Sequence, residues 1–269
     1  DEVPAKASII TCGVDVQDNR VSCGIYAWGK GEECWLMNWF EIYGDPAGKK
    51  LWDQVDDVIF RTYTKEDGTE CKINAVGIDS GGHFTSEVYA YCRERANRGV
   101  FALKGQSQRN KPPIGKPSKV DINYKGQVLK RSAQVFPCGS DTIKTTLFAR
   151  LKHNEEGPGY IHFHAQASEE YFKQLTAERQ VVRYVKGFAI REWKKKPDAR
   201  NEALDCFVYS YAALNYLYMR FNRATIFEQF AKARIVKEER KEEKTVESPY
   251  RPTQRRMSRR PSSSFVTNW

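Results

Sequence analysis

Two apolar segments of the sequence end in the same pattern: a glycine, an aliphatic residue and an aspartate. The first, within Ser8–Asp18, ends at Asp15, and the second, within 73–79, ends at Asp79. The β-branched, apolar composition of both segments predicts strands that are covered on both faces. A carboxylate in such a strand costs free energy unless a positive charge meets it. Two such strands could bring their aspartates together at one edge of a sheet, where Mg²⁺ and its bound water would suit them.

A third candidate carboxylate lies near the start of a late, apolar helix. Residues 201–219 carry apolar side chains at helical spacing, and Asp205 follows the first turn. Glu202, three residues earlier, shares a face with Asp205 and is an auxiliary candidate. If this helix packs against the two strands, the three aspartates form a cluster of hard oxygen ligands suited to two divalent ions. The alternative for each aspartate is an ordinary role at a turn or a helix start.

The remaining hydrophobic pattern predicts one α/β domain over residues 1–234, beginning with three strands joined by short turns as an antiparallel meander. Strands are predicted at 8–18, 20–29, 32–43, 71–79, 100–103, 133–137, 160–164 and 185–193. Helices are predicted at 49–63, 83–97, 141–153, 168–185 and 201–219. The resulting fold is a mixed sheet flanked by helices, followed by a disordered, charged tail over 235–269.

The chain is basic, with 44 Lys and Arg against 34 Asp and Glu and a net charge of +10. This balance favours a polyanionic partner, nucleic acid first. Residues 106–127 lack periodicity and predict a basic loop or hairpin insertion, and a second basic cluster precedes the late helix. Both clusters could contact a DNA backbone or simply form solvated faces. The candidate contacts are Arg109, Lys111, Lys116, Lys119, Lys194, Lys195, Lys196 and Arg200.

Two further side chains are candidates for contact with the substrate. His83, after a glycine pair, could reach DNA or a metal-bound water, although a helix-start residue without a catalytic role is the simpler interpretation. Lys104, at the end of a predicted strand, could reach a phosphate or be an ordinary exposed lysine. Seven scattered cysteines, without the spacing of a zinc site, predict buried, reduced thiols in a reducing compartment. No signal peptide is recognisable and no apolar run approaches 18 residues, so no membrane association is expected.

The order of these elements, with acids on the first and fourth strands and on a late helix, is the RNase H-like pattern. The segments IITCGVDVQDNR, GIYAWGKGEECWL, VGIDSGG, LKG and RNEALDCFVYSYAAL together resemble the nuclease domain of the large terminase subunit of lambda-like tailed phages, over about residues 8–219. The resemblance implies an RNase H-like endonuclease that cuts double-stranded viral DNA during genome packaging. It assigns two Mg²⁺ or Mn²⁺ ions to Asp15, Asp79 and Asp205.

The same resemblance implies partners and a location. The partners would be double-stranded DNA, a packaging ATPase half, a small terminase subunit and the capsid portal, in the cytoplasm of the host. The ATPase half is not expected within this sequence, because none of its Gly-Lys pairs is followed by the Ser or Thr of a phosphate-binding P-loop.

Two other interpretations remain open. A non-catalytic DNA-clamping or portal-docking module on the same fold would use the three aspartates structurally. Another RNase H-like enzyme, such as a resolvase or a transposase core, would prefer branched junctions to linear duplex.

Overall fold

The computed structural model describes residues 2–124 and 126–232. The strands are β1 (Glu2–Val3), β2 (Ala7–Val16), β3 (Arg20–Gly29), β4 (Cys34–Tyr43), β5 (Tyr63–Lys65), β6 (Glu70–Cys71), β7 (Ala75–Asp79), β8 (Val100–Gln106), β9 (Ser118–Tyr124), β10 (Gln127–Gly139), β11 (Ile161–His162), β12 (Glu178–Val185) and β13 (Phe188–Lys195). The helices are α1 (Lys49–Ile59), α2 (Thr85–Arg95), α3 (Ser140–Arg150), α4 (Glu169–Leu175) and α5 (Glu202–Tyr218). The predicted tail, 235–269, lies outside the described residues, so its disorder and the boundary after residue 234 stay predictions.

Eight strands form one mixed sheet in the order β11-β4-β3-β2-β7-β8-β10-β9. The first three long strands, β2, β3 and β4, form the predicted antiparallel meander. β7 pairs in parallel with β2, and β8 and β10 continue the parallel part. The fold class is therefore confirmed as a large mixed α/β sheet with flanking helices, an arrangement compatible with the RNase H-like pattern.

Helices cover both faces of this sheet. Successive strand residues point to opposite sides, and in the central strands the side chains on both sides are apolar. On β2, Ile9 packs into the core that contains α3, α4 and α5, whereas Ile10 and Val14 pack into the core that contains α1 and α2. Coverage on both faces explains why the central strands read as continuous apolar runs rather than as alternating ones. None of the helices in the described residues is long and apolar enough to cross a membrane.

The approach of α5 to the sheet depends on two glycines. Gly13 of β2 and Gly77 of β7 are direct register partners, and both face the helix. A Cβ atom built on Gly13 would lie 1.9 Å from the Cys206 carbonyl oxygen. The Thr11 hydroxyl, on the same face, donates to the Ser210 carbonyl oxygen at 3.0 Å. The helix that carries Asp205 is therefore held directly against the two strands that carry the other aspartates.

The prediction of a helix over 168–185 is wrong in its second half. α4 ends at Leu175, and the chain then forms the antiparallel hairpin of β12 and β13. The β-branched and aromatic residues of 181–185 favour a strand. The two-residue turn at Lys186 and Gly187 has φ angles of 50° and 82°, which is the type I′ geometry that suits a hairpin. A Gly-containing turn between two strand-forming runs was the signal that could have identified it.

The basic segment 106–127 is a loop only in its first part. β9 occupies 118–124 and pairs with β10 as a hairpin, and β10 extends well beyond the predicted strand 133–137. β9 is the outermost strand of the sheet, and its charged side chains protect an exposed edge. Such an edge strand lacks the strong apolar alternation by which strands are usually identified. The sequence therefore predicted a basic loop or hairpin without strand bounds, and the structure has the hairpin.

All seven cysteines are buried thiols in the structure, as the sequence predicted. Burial raises the pKa of the Cys34, Cys92 and Cys138 thiols above the ordinary value.

Candidate active site

The three predicted aspartates line one cleft of about 550 Å³. Asp15 is the next-to-last residue of β2, Asp79 ends β7, and Asp205 lies in the first turn of α5. β2 and β7 are parallel neighbours, so their carboxyl ends meet at the same edge of the sheet. Asp15 and Asp79 each follow a helix-facing glycine, Gly13 and Gly77, by two residues. Side chains two residues apart in a strand share a face, so both carboxylates point towards α5. The structure thus brings together residues that are separated by up to 190 positions.

The electrostatics of the cleft oppose three simultaneous negative charges. Burial, together with the charges of Asp205 and Asp79, raises the pKa of Asp15, although Gln17 Nε2 donates a hydrogen bond to its Oδ2 at 2.6 Å. Burial also raises the pKa of Asp79, opposed by hydrogen bonds from the Gly81 N–H and the Tyr209 hydroxyl. Carboxylates in this state gain from any cation that enters the cleft.

Asp205 belongs to a network that the sequence did not reveal. Lys144 Nζ lies 2.8 Å from Glu178 Oε1 and 3.7 Å from Asp205 Oδ1. Asn201 Nδ2 donates to Asp205 Oδ2 at 2.8 Å and to Glu178 Oε1 at 3.0 Å. Burial raises the pKa of Asp205 to about 6, with the Glu178 and Asp79 charges adding to this effect and Lys144 opposing it. Lys144 and Glu178 come from α3 and β12, and no local motif marks either residue.

The auxiliary candidates divide into two groups. His83 and Lys104 line the cleft beside the aspartates, and His83 Nδ1 lies 2.9 Å from Asp18 Oδ1. Glu202 is absent from the residues that line this cleft and is held in ion pairs with Arg20 at 2.6 Å and with Arg200 at 3.1 Å. Its position fits a structural role behind the cleft better than the role of a ligand.

The predicted DNA contacts are mostly exposed and unevenly placed around the cleft. Lys116 lines a neighbouring cavity that also includes Lys104. Lys195 Nζ lies 3.4 Å from Asn201 Oδ1, next to Asp205. The guanidinium of Arg200 is engaged by Glu41 and Glu202. The remaining candidates are exposed in the structure, namely Arg109, Lys111, Lys119, Lys194 and Lys196.

A second group of possible metal ligands lies elsewhere in the described part of the chain. Glu33, Glu156 and His162 each offer one ligand atom, and these atoms lie within 4.8 Å of one another. His162 Nε2 lies 2.7 Å from Glu33 Oε1, and its ring stacks on Trp35 with 4.8 Å between centroids. A hydrogen bond between His162 and Glu33, with the imidazole stacked on Trp35, accounts for this contact without a metal.

The raised pKa of Asp205 predicts how stability depends on pH when divalent ions are removed with EDTA. Between about pH 4, where an unfolded aspartate titrates, and about pH 6, the folded state keeps a proton that the unfolded state has lost. The contribution of Asp205 is therefore greatest below pH 4 and falls as the pH rises through 6, by about 3 kcal/mol in total. Because other carboxylates shift in the opposite direction, the measurement is a difference: Asp205→Asn should melt increasingly above the wild type between pH 4.5 and 7.5. Parallel melting curves for the two proteins would contradict this assignment.

The chain is similar to known proteins over most of its length. A family model described as terminase large subunit gpA, endonuclease domain, matches residues 1–226. The chain is 34% identical over 221 residues to the terminase large subunit of Escherichia phage lambda, and 34% identical over 220 residues to that of Enterobacteria phage P21. Each match covers 79% of this chain and 33% of the relative. The chain thus spans about a third of the length of these curated relatives.

Proposed function

The chain belongs to the terminase large subunit gpA endonuclease-domain family, and from this membership we propose that it cuts double-stranded viral DNA during genome packaging, using two divalent ions held by Asp15, Asp79 and Asp205. The observation that carries the proposal is the convergence of these three carboxylates, from β2, β7 and α5, in one solvent-open cleft.

The donor set fits divalent ions of the hard type. Carboxylate oxygens from three rigid elements, with room for water and phosphate, suit Mg²⁺ or Mn²⁺. Ligands of one Mg²⁺ lie within about 4.2 Å of each other, twice the metal–oxygen distance. Two ions about 4 Å apart need ligands that are spread more widely. The three aspartates, which come from separate elements and line one cleft, are the donors that a two-ion site would use.

The aspartates differ in burial, which suggests different roles. Asp15 is only 3% exposed, and burial together with both other aspartates raises its pKa, so it would gain most from a bound cation. Asp79 and Asp205 would complete the ligand set. Bound ions would supply activation of the attacking water and stabilisation of the leaving 3′ oxygen. Lys144 keeps Asp205 and Glu178 in place, and His83 and Lys104 at the cleft can contact phosphate oxygens.

The partners follow from the same membership as proposals. The curated relatives are large terminase subunits about three times the length of the match, so we assign a packaging ATPase half to the same assembly. A small terminase subunit and the capsid portal complete the set, and the host cytoplasm is the proposed location.

The test is metal-dependent cutting by the full chain. We expect linear plasmid DNA to be cut in Mg²⁺ or Mn²⁺ and to remain intact in EDTA. Crystals soaked in Mn²⁺ should show anomalous peaks between the three aspartates. Intact DNA under all metal conditions would reject the nuclease and favour the clamping module. A marked preference for four-way junctions over linear duplex would favour a resolvase.

A further inference from the structure

The hairpin of β12 and β13 exposes large apolar side chains at its tip. Its strands pair from Glu178 opposite Lys195 to Val185 opposite Phe188, a length of about 25 Å at roughly 3.3 Å per residue. Tyr184 is 74% exposed and Phe188 is 76% exposed. Side chains of this kind on a two-stranded ribbon contribute little to folding, so both rings are available to a partner.

The hairpin is also strongly basic. Residues 178–196 contain seven Lys and Arg against two Glu. Both glutamates are already paired, Glu178 with Lys144 at 2.8 Å and Glu192 with Lys194 at 3.2 Å. The surface offered to a partner is therefore apolar at the tip and positive along its length. This complements a DNA duplex, whose phosphates are negative and whose major groove presents thymine methyl groups among the polar base edges.

The base of the hairpin is fixed beside the catalytic cleft. Glu178 accepts a hydrogen bond from Asn201, which also holds Asp205. The Trp193 ring packs on Phe148 of α3 with 4.8 Å between centroids. Because the base contacts the same elements that position Asp205, whatever the outer half binds is aligned with the cleft.

The faces of the hairpin show how a partner would meet it. Residues paired across the strands share a face, so Tyr184 points to one side of the hairpin and Phe188, opposite Val185, points to the other. A ribbon laid flat on a protein would bury only one of these rings. A ribbon enclosed in a groove buries both, and the major groove of B-DNA, about 12 Å wide and 8.5 Å deep, admits a two-stranded ribbon.

We propose that the hairpin 178–195 enters the major groove of the duplex that is bound for cutting, with its aromatic tip against base edges and its basic side chains on the phosphates. The proposal rests on the proposed function, because it takes duplex DNA as the substrate. It assigns to the hairpin the positioning of the duplex over the aspartates, and it leaves the chemical step to the cleft.

The first test removes the tip. In the full chain with EDTA, Tyr184→Ala/Phe188→Ala should bind a fluorescent 30-bp duplex about tenfold more weakly, with an unchanged melting temperature because both rings are exposed. Tryptophan at both positions should restore binding. Val128→Ala, which truncates a 61% exposed side chain on β10, is the matched control and should bind as the wild type does. Wild-type affinity in the double alanine variant would overturn the proposal, even if that variant lost association with the ATPase half.

The second test removes charge and identifies the groove. Arg179→Gln/Arg191→Gln should reduce the slope of log K against log salt by about 2, one for each lost phosphate contact. Lys50→Gln/Lys72→Gln, exposed lysines outside the hairpin, should change the slope less. Methyl green, a major-groove ligand, should compete with the protein, and netropsin, a minor-groove ligand, should not; the reverse result would overturn the proposal.

The two proposals fail separately. A chain that binds duplex through the hairpin but leaves it intact in Mg²⁺ and Mn²⁺ supports the hairpin proposal and rejects the nuclease. A chain that cuts DNA with full efficiency after the tip is removed supports the nuclease and rejects the hairpin proposal.

Discussion

Replacing Asp15 by asparagine is expected to abolish cutting, to below about one thousandth of the wild-type rate, while duplex binding persists. The substitution removes the charge of the most buried of the three aspartates but keeps its size, so a proposed metal ligand is lost and the fold is kept. The measurement is cleavage of plasmid DNA in Mg²⁺, with binding measured in EDTA. Asp57→Asn, an exposed carboxylate in α1, is the control and should leave both activities unchanged.

The same variant should be more stable than the wild type in EDTA at pH 8. Burial, together with repulsion from Asp205 and Asp79, raises the pKa of Asp15. The folded state therefore resists the loss of a proton that the unfolded chain releases at about pH 4, and an uncharged asparagine avoids this cost. Adding Mn²⁺ should raise the melting temperature of the wild type and leave that of Asp15→Asn nearly unchanged. A non-catalytic module with structural aspartates predicts the opposite, a variant that melts lower. Retained cleavage by Asp15→Asn would falsify the assigned site.

Replacing Gly13 by alanine is expected to destabilise the fold by more than about 4 kcal/mol. The new methyl group would lie 1.9 Å from the Cys206 carbonyl oxygen and 2.6 Å from the Ser210 backbone nitrogen. Both contacts are with the backbone of α5, which cannot give way by a change of rotamer. Urea denaturation followed by circular dichroism measures the effect, and we expect either an insoluble product or a strongly lowered midpoint.

Gly105→Ala is the matched control for this effect. Gly105 lies in β8, and a Cβ atom built there meets nothing within 4 Å. The free energy of unfolding of the Gly105→Ala protein should therefore differ from that of the wild type by less than about 0.5 kcal/mol. A Gly13→Ala protein as stable as this control would mean that α5 lies further from β2 than the structure shows.

The centre of the molecule could be predicted from the sequence because local pattern and tertiary role coincide there. The runs that end at Asp15 and Asp79 are apolar on both faces, and the buried helix that carries Asp205 is apolar over most of its surface. Each of these elements reads clearly by itself, and one assumption, that the helix packs on the strands, brings the three carboxylates together.

The periphery could not be predicted in the same way, because its contacts join residues far apart in the chain. Lys144 and Glu178 form an ion pair although they are 34 residues apart in the sequence. Neither residue lies in a local sequence pattern that predicts this contact. The hairpin of β12 and β13 buries little. Most of its second strand was predicted, over 185–193, but its first strand was assigned to a helix, although its β-branched residues and the short turn were local signs of it. Glu202 was a plausible ligand by helical spacing, but Arg20 and Arg200 occupy it.

The burial of all seven thiols matters for labelling this protein at a single site. A thiol that is buried away from water is poorly accessible to alkylating reagents at neutral pH. A single cysteine placed at the exposed turn residue Lys186 would therefore stand out as the reactive handle, with the natural cysteines left in place. A fluorophore attached there could report the distance to a labelled duplex. Reaction of the native thiols would separately report unfolding that exposes them to the reagent.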